Sequence, residues 1–439
     1  MKRGFLNKGA SARRLTTTKS SATSGSDSAE KPMQLSRAGK DTVVAATQGS
    51  KFQFSGVCRL HSNSPRIIVS DYRIPSFYAT HFLYLPSADN ATMVYIDSLK
   101  GVQTVSAWPL WTQPAPSPPA NPPFEIRECD DKGLGMIALR RIARGEVIVR
   151  QRPLLFSHPT LHINPDQMHT FFESALAGLS PDTQSAFNSL RNAQLETEDV
   201  PRSRGIILTN ALATQVPQSH DPTANYNAVF ASLSRANHDC SPNAHYSFSA
   251  GTFTGRLTAL RIIQPGEEIT LGYTDIELPR AQRRQVLATK FKFDCGCTTC
   301  CLSPKKATES DTRRAAIAAF LIRINELNVN TTEGTEPLFP EGASLARASE
   351  LLRWAEGERL IEAASKLAMA AAGLAYKENN TSETTRLALR AINYLRAEEG
   401  NDSPHFVRFA RGTGFSPEQM AAKFDSSSDE EMMGPNLNA

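Results

Sequence analysis

Asn237-His238-Asp239-Cys240-Ser241-Pro242-Asn243 packs two amides, an imidazole, a thiol and a proline into seven residues. Asn, Asp and Pro are depleted from strands, so this is a specialised connection and not a structural strand. Taken alone, it reads equally as an Asn/Pro-rich turn around a hydrogen-bonded histidine. Three neighbouring signals shift that balance. Lys132-Gly133-Leu134-Gly135 lies upstream; Gly266-Glu267-Glu268-Ile269-Thr270-Leu271-Gly272-Tyr273 and Cys295-Gly296-Cys297-Thr298-Thr299-Cys300 lie downstream.

Each signal is modest by itself. Glycines without a Cβ let a backbone approach a ligand closely, but a lone GxG between strands is more often a turn. The third glycine and following helix of a dinucleotide fold are missing. Pro265-Gly266 sets up an ordinary bend into a strand. Cys295, Cys297 and Cys300 supply three thiolates, one short of a tetrahedral zinc site. A redox cluster is the alternative, although no C-x-x-C stands beside a βαβ pattern.

In this order and at these separations, the four pieces resemble a SET-domain protein-lysine methyltransferase with a zinc-binding post-SET tail, over roughly residues 122–301. The resemblance implies an α+β, β-rich SET fold with a threaded, knot-like core, a helical insert, and an all-α C-terminal region after it. It implies that Lys132, Gly133, Leu134, Gly135, Asn237, His238 and Phe293 bind S-adenosyl-L-methionine, that Tyr273 is catalytic, and that Phe291 lines the substrate channel. Asn243 would hold the crossing of its own segment with the one ending at Tyr273. Cys240 would join Cys295, Cys297 and Cys300 around one structural Zn²⁺, with Cys301 a near neighbour able to replace Cys300. The reaction implied is methyl transfer to the side-chain amine of a protein lysine, histone or non-histone.

Two departures stand out. Phe291 matches a position that is often tyrosine in related enzymes, and the lost hydroxyl supports a second reading, a catalytically weak SET scaffold acting as an interaction module. The SET-and-MYND relatives insert a MYND zinc finger, yet residues 136–230 contain no cysteine. The chain therefore resembles that group without the finger.

Composition sets the outer bounds. The 439 residues allow two or three domains, with 21% charged and 40% hydrophobic residues. No apolar run approaches the roughly 18–20 residues that span a bilayer, so no membrane association is expected. A net charge of +4 does not imply nucleic acid, and no basic recognition helix adjoins the cysteines. Seven cysteines, four of them within Cys295–Cys301, point to metal binding in a reducing compartment, nucleus or cytoplasm. Cys58 and Cys129 read as buried thiols. The acid-free start through Lys19 is compatible with a mitochondrial presequence or a nuclear-import patch, but a solvated tail is the plainer expectation.

Along the chain, residues 1–48 read as a disordered basic tail and 49–107 as a β-rich segment, with strands expected at Phe52–Leu60, Arg66–Val69, Phe82–Leu85, Met93–Ile96 and Val102–Val105. Residues 108–123 form a Pro-rich linker that sets a boundary near 122. The SET domain covers 122–275, interrupted by a helical insert at about 157–230, and the zinc tail covers 276–303. Residues 310–424 form a helical domain suited to protein partners, with one helix expected over Ala343–Tyr376. An acidic disordered tail, 425–439, ends the chain.

Overall fold

The computed structural model describes residues 54–59, 66–70, 80–86, 92–108, 110, 121–129, 132–161, 163, 168–197, 200–328, 338–412 and 414–426. The basic tail, residues 109 and 111–120 of the Pro-rich stretch, and residues 427–439 lie outside these.

The amino-terminal strands are β1 (Phe54–Arg59), β2 (Arg66–Ser70), β3 (Thr80–Pro86) and β4 (Thr92–Ser98), followed by helix α1 (Leu99–Ser106). Next come β5 (Phe124–Glu128), β6 (Leu134–Ala138), β7 (Val147–Gln151) and β8 (Leu155–Ser157). Helices α2 (Met168–Ala177), α3 (Pro181–Asn188) and α4 (Arg202–Asn210) precede β9 (Leu212–Thr214) and β10 (Tyr226–Val229). The motif strand β11 (Asn237–His238) is followed by β12 (Ala244–Ser249), β13 (Thr254–Ala259) and β14 (Glu268–Leu271).

These strands make three sheets, ordered β1-β2-β3-β4-β8-β10-β9, β11-β14-β6-β5 and β12-β13-β7. In the largest, β3, β4 and β8 are buried on both faces, which is why they read as continuous apolar runs. Leu83, Leu85, Met93, Tyr95 and Phe156 point to the central core, whereas Phe82, Tyr84, Val94, Ile96 and Leu155 point to the insert helices. Phe171, Phe172, Leu176 and Leu179, which share one face in the sequence pattern, fill that second layer.

Two expectations about the amino-terminal segment change. β4 pairs in parallel with β8, so the segment shares a sheet with strands that lie beyond residue 122. Val102–Val105 is helical, not a strand. Ser98 caps α1 by accepting from the Gly101 N–H, and Val102 and Val105, three apart, both reach the core. Such a short β-branched run fits either period. Cys129 is half-buried instead of enclosed, and the Cys58 side chain lies outside the described residues.

Helix α5 (Arg280–Val286) opens the cysteine tail, and α6 (Pro304–Asn328), α7 (Leu345–Gly357), α8 (Ile361–Lys377), α9 (Thr381–Glu399), α10 (Pro404–Gly412) and α11 (Pro417–Ser426) complete the chain. Among the described residues from Pro304 onward there is no strand, in keeping with the expected all-α region. The single helix expected over Ala343–Tyr376 is broken into α7 and α8. Arg359 takes a left-handed φ of 56° there, while Glu358 turns fully inward. Its carboxylate accepts from Ser310 Oγ (2.6 Å), Arg313 Nε (2.7 Å) and Arg314 Nε (3.1 Å). Arg314 is itself fully buried and also donates to the Ile276 carbonyl. That network fastens the helices to the segment between β14 and α5.

Removing one partner of a buried ion pair leaves an uncompensated charge, at a cost of about 3–5 kcal/mol. Glu358→Gln is expected to lower the urea midpoint accordingly, whereas Arg347→Gln, which removes the exposed Arg347–Glu350 pair, should change stability by less than about 1 kcal/mol.

Candidate active site and metal centre

The site is built around a crossing. β11 lies parallel to β14, with Asn237 beside Thr270 and His238 beside Leu271, and the Asp239 N–H donates to the Leu271 carbonyl (3.0 Å). The motif then turns at Ser241-Pro242, where the Asp239 carboxylate accepts from the Ser241 N–H (2.7 Å). Asn243 closes the crossing with its side chain. Its Nδ2 donates to the Glu268 carbonyl (2.8 Å), and its Oδ1 accepts from the Thr270 N–H (2.8 Å). One buried amide thus satisfies a donor and an acceptor of β14 from the side, a side-chain substitute for a ladder pair.

His238 is 5% exposed, and its ring works inward. Nδ1 accepts from the Tyr273 N–H (3.0 Å), and Nε2 lies 3.3 Å from Cys240 Sγ. Accepting at Nδ1 places the proton of a neutral imidazole on Nε2, facing that sulfur. The imidazole therefore joins the tyrosine backbone to the cysteine cluster, leaving the backbone of the motif to face the adjoining cavity. Tyr273 Oη donates to the Ala236 carbonyl (2.8 Å). With its proton committed there, the hydroxyl oxygen meets other groups as an acceptor.

The Lys132–Gly135 loop forms the opposite wall. Gly133 has φ 75°, a left-handed conformation that closes the turn between Cys129 and Gly133. At Gly135 a Cβ would lie 2.6 Å from Cys129 Sγ, 2.8 Å from Asn237 Nδ2 and 2.9 Å from Glu268 Oε1, so a side chain there would push the motif away. Glu268 gathers both walls, accepting from Asn237 Nδ2 (2.8 Å) and Lys132 Nζ (2.6 Å). Burial would lower the lysine pKa, but the Glu268 carboxylate outweighs it and the ammonium is held above its ordinary value.

Between these walls lies a cavity of about 440 Å³. Lys132, Leu134, Asn237, His238, Tyr273, Phe291 and Phe293 all border it. The last two come from the tail. A π-helical turn over Leu287–Phe291 ends at Lys292, whose φ of 59° reverses the chain and returns Phe293 to the same cavity. Such single π-turns are frequent at functional sites. Phe291 packs against Tyr273 with ring centroids 5.0 Å apart, and Phe293 stands edge-on to Tyr273 at 6.4 Å.

The sequence reading missed the roof, which the insert supplies. Arg191 and Asn210 border the cavity. Arg191 donates to the Lys132 carbonyl (3.2 Å), Asn210 to the Arg191 carbonyl (2.7 Å), and Gln194 to the Lys290 carbonyl (2.7 Å). Arg235, two residues before the motif, also borders the cavity, and its closeness to Asn237 in sequence is the one signal that could have found it.

Beside the cavity, the Sγ atoms of Cys240, Cys295, Cys297 and Cys300 lie within 4.8 Å of one another. Cys240 and Cys300 are 3.6 Å apart and neither is in a disulfide. Four thiolates around a tetrahedral Zn²⁺ at ~2.3 Å would be spaced by about 3.8 Å, so the donor set fits that ion. Cys301 points elsewhere, its Sγ 3.5 Å from the Gly296 carbonyl. Four thiolates would leave a divalent ion with excess negative charge. Arg283, 1% exposed, places Nε 3.3 Å from Cys240 Sγ, where it offsets that charge. A buried guanidinium is tolerable only with such a partner. Burial would lower the Arg283 pKa, but the neighbouring sulfurs raise it above the ordinary value.

Residues 133–274 match the family model for the SET domain. This part of the chain is a SET domain. The histone-lysine N-methyltransferase set5 of Schizosaccharomyces pombe is 30% identical over 198 residues, 45% of this chain and 56% of that protein. The protein-lysine N-trimethyltransferase SMYD5 of Mus musculus is 40% identical over 75 residues, 16% of this chain and 18% of that protein. The chain thus spans little more than half the length of the first relative and under a fifth of the second. The solved SET domain of LSMT bound to lysine and AdoHcy aligns over 71% of this chain and 88% of its own at 14% identity, with a TM-score of 0.27.

Because the four sulfurs come from segments about fifty residues apart, binding a metal there would also close the tail. Cys240→Ser is expected to remove one zinc equivalent from the purified protein and to expose the segment 287–300 to hydrogen exchange. Unchanged zinc content would show that the cluster is not the metal's site.

Proposed function

We propose that this protein transfers a methyl group from S-adenosyl-L-methionine to the side-chain amine of a lysine in a protein substrate. The observation that carries the proposal is the cavity at the crossing, where Tyr273 Oη, anchored on the Ala236 carbonyl, meets the aromatic wall of Phe291 and Phe293. The SET-domain match and the lysine methyltransferases among its relatives support it.

The cofactor, when bound, supplies an electron-poor methyl group on sulfur. The chain's residues have other tasks. Lys132, Gly133, Leu134, Gly135, Asn237 and the backbone at His238 would hold the cofactor, with Phe293 covering it. A lysine amine has an ordinary pKa of about 10.4, and only its neutral form has a lone pair to offer. The apolar faces of Phe291 and Tyr273 favour that neutral form by excluding water. Tyr273 Oη, already donating to Ala236, would accept from the amine N–H and turn its lone pair toward the methyl carbon. This is orientation and electrostatic preorganisation, with no covalent intermediate on the protein.

Phe291 in place of a tyrosine leaves the channel one hydroxyl short of a second acceptor for the amine. Fewer fixed hydrogen bonds would let a partly methylated nitrogen turn and react again, so Phe291 favours multiple methylation over inactivity. The substrate is a lysine side chain on a histone or another protein of the nucleus or cytoplasm, where the cysteine cluster would stay reduced.

The test pairs calorimetric binding of S-adenosyl-L-methionine with labelled-methyl transfer to core histones and to a cytoplasmic lysate. Wild type should bind cofactor and label protein lysines. Tyr273→Phe should keep cofactor affinity within a few-fold and lose about a hundredfold in turnover, as for the removal of one preorganised polar group. Cofactor binding with equal, background labelling from both proteins would favour a scaffold, and no cofactor binding at all would overturn the proposal.

A further inference from the structure

Away from the cavity, the largest sheet ends in a row of polar side chains on its core-facing side. β3 and β4 pair with His81 opposite Asp97, and β8 and β10 pair in a register that sets His158 opposite Tyr226. β4 and β8 run parallel with Ile96 beside Ser157, so Asp97 is followed across the sheet by His158. Strands that supply Leu83, Tyr95 and Phe156 to the core thus finish together in His81, Asp97, His158 and Tyr226. A loop residue, His220, completes the cluster. The ligand atoms of Asp97, His158 and His220 lie within 4.8 Å of one another.

Around these atoms is the supporting shell that metal-binding histidines use. His158 Nδ1 is fixed against the Thr160 backbone, 2.9 Å from its carbonyl and 3.2 Å from its N–H, which leaves Nε2 on the side of the cluster. His220 Nδ1 faces Asp97 Oδ2 at 3.3 Å while its Nε2 rests 3.3 Å from Ser98 Oγ. The Asp97 carboxylate is 2% exposed and held by Tyr95 Oη (2.7 Å), Tyr226 Oη (3.1 Å) and the Ser98 N–H (2.6 Å). Asp221 Oδ2 lies 3.4 Å from His158 Nε2. Helix α1 closes over the cluster at Gly101, where a Cβ would collide with the Asp97 carboxylate and the His220 ring.

A second observation points the same way. His81, 4% exposed and on the same face beside Asp97, has an Nδ1 with no hydrogen-bond partner. Two imidazoles and a carboxylate at the end of one sheet make an N/O donor set for a borderline-soft divalent ion.

We propose that Asp97, His158 and His220 bind one divalent transition-metal ion, Zn²⁺ by the character of the donors, independently of the cysteine cluster. Three protein ligands leave a fourth position for water. The ion would tie β4, the end of β8 and the loop before β10 together, fastening the amino-terminal strands to both ends of the insert. The affinity should be lower than that of four thiolates, because the site is half-open and the carboxylate already accepts three hydrogen bonds.

The full chain, stripped with chelator and dialysed against Zn²⁺, is analysed for bound metal by mass spectrometry. His158→Ala and His220→Ala should each hold one equivalent fewer than wild type, whatever the cysteines hold, and Cys240→Ser should retain this equivalent. Loading wild type with Co²⁺ provides a measure that needs no substitution. One equivalent should show weak d–d bands without thiolate-to-cobalt charge transfer. Equal metal content in wild type and both folded histidine variants, or cobalt bound only with charge transfer, would overturn the proposal and leave a hydrogen-bonded polar network.

Discussion

The structure depends on one buried amide. Asn243 bridges β14 from the side, donating to the Glu268 carbonyl and accepting from the Thr270 N–H, and it is 1% exposed. A crossing of two separate segments has no turn to set its register, so side-chain bonds must do so. Each consequence follows from that register. With Asn237 beside Thr270 and His238 beside Leu271, the histidine ring can reach the Tyr273 N–H, and Glu268 can reach both Asn237 and Lys132. A slip of one residue would reverse the faces of β11 and lose the contacts made by His238 and Asn237.

His238 carries the constraint onward to the cysteine cluster. Its two nitrogens span from the Tyr273 backbone to Cys240 Sγ, and Arg283 approaches the same sulfur from the other side. The hydrogen bonds from a neutral N–H and a guanidinium to one thiolate would spread its charge and fix its direction. The tail closed by that cysteine brings Phe291 and Phe293 to the cavity. The orientation of the tyrosine and the position of the aromatic wall are therefore coupled through a single sulfur, although the two aromatic residues lie far from the motif in sequence.

Much of this centre was legible in the sequence because it is made of short runs with unusual composition. The motif, Tyr273 and the cysteines each stand in such a run, and Cys300, not Cys301, lies with the other three sulfurs. The insert's contribution was not legible. Arg191, Asn210 and Gln194 matter because the insert folds back over Lys132 and Lys290, a placement that no local pattern encodes. The parallel pairing of β4 with β8 was hidden for a related reason, since buried strands show apolar runs but not their partners. Val102–Val105 failed differently, as four residues are too few to separate a period of two from one of 3.6. At 358–360 the helical pattern continued through a break that only a buried carboxylate explains.

That carboxylate changes the standing of the carboxy-terminal helices. A helical region after a catalytic core is easily read as an appendage for partners. Here Glu358 binds Arg313 and Arg314, Arg314 donates to the Ile276 carbonyl just past Tyr273, and the Glu358 carbonyl accepts from Ser241 Oγ inside the motif. Ser241 also meets Thr299 of the cysteine tail at 3.1 Å. The break between α7 and α8 thus touches the motif, the tyrosine segment and, through Ser241, the tail. Its buried charges would be costly anywhere, and neutral packing of the same volume would be as stable or more so. Their geometric effect is what packing alone would not give, because directional bonds to two backbone carbonyls fix the helices in one register against the crossing. The helices are better regarded as the outer frame of the site.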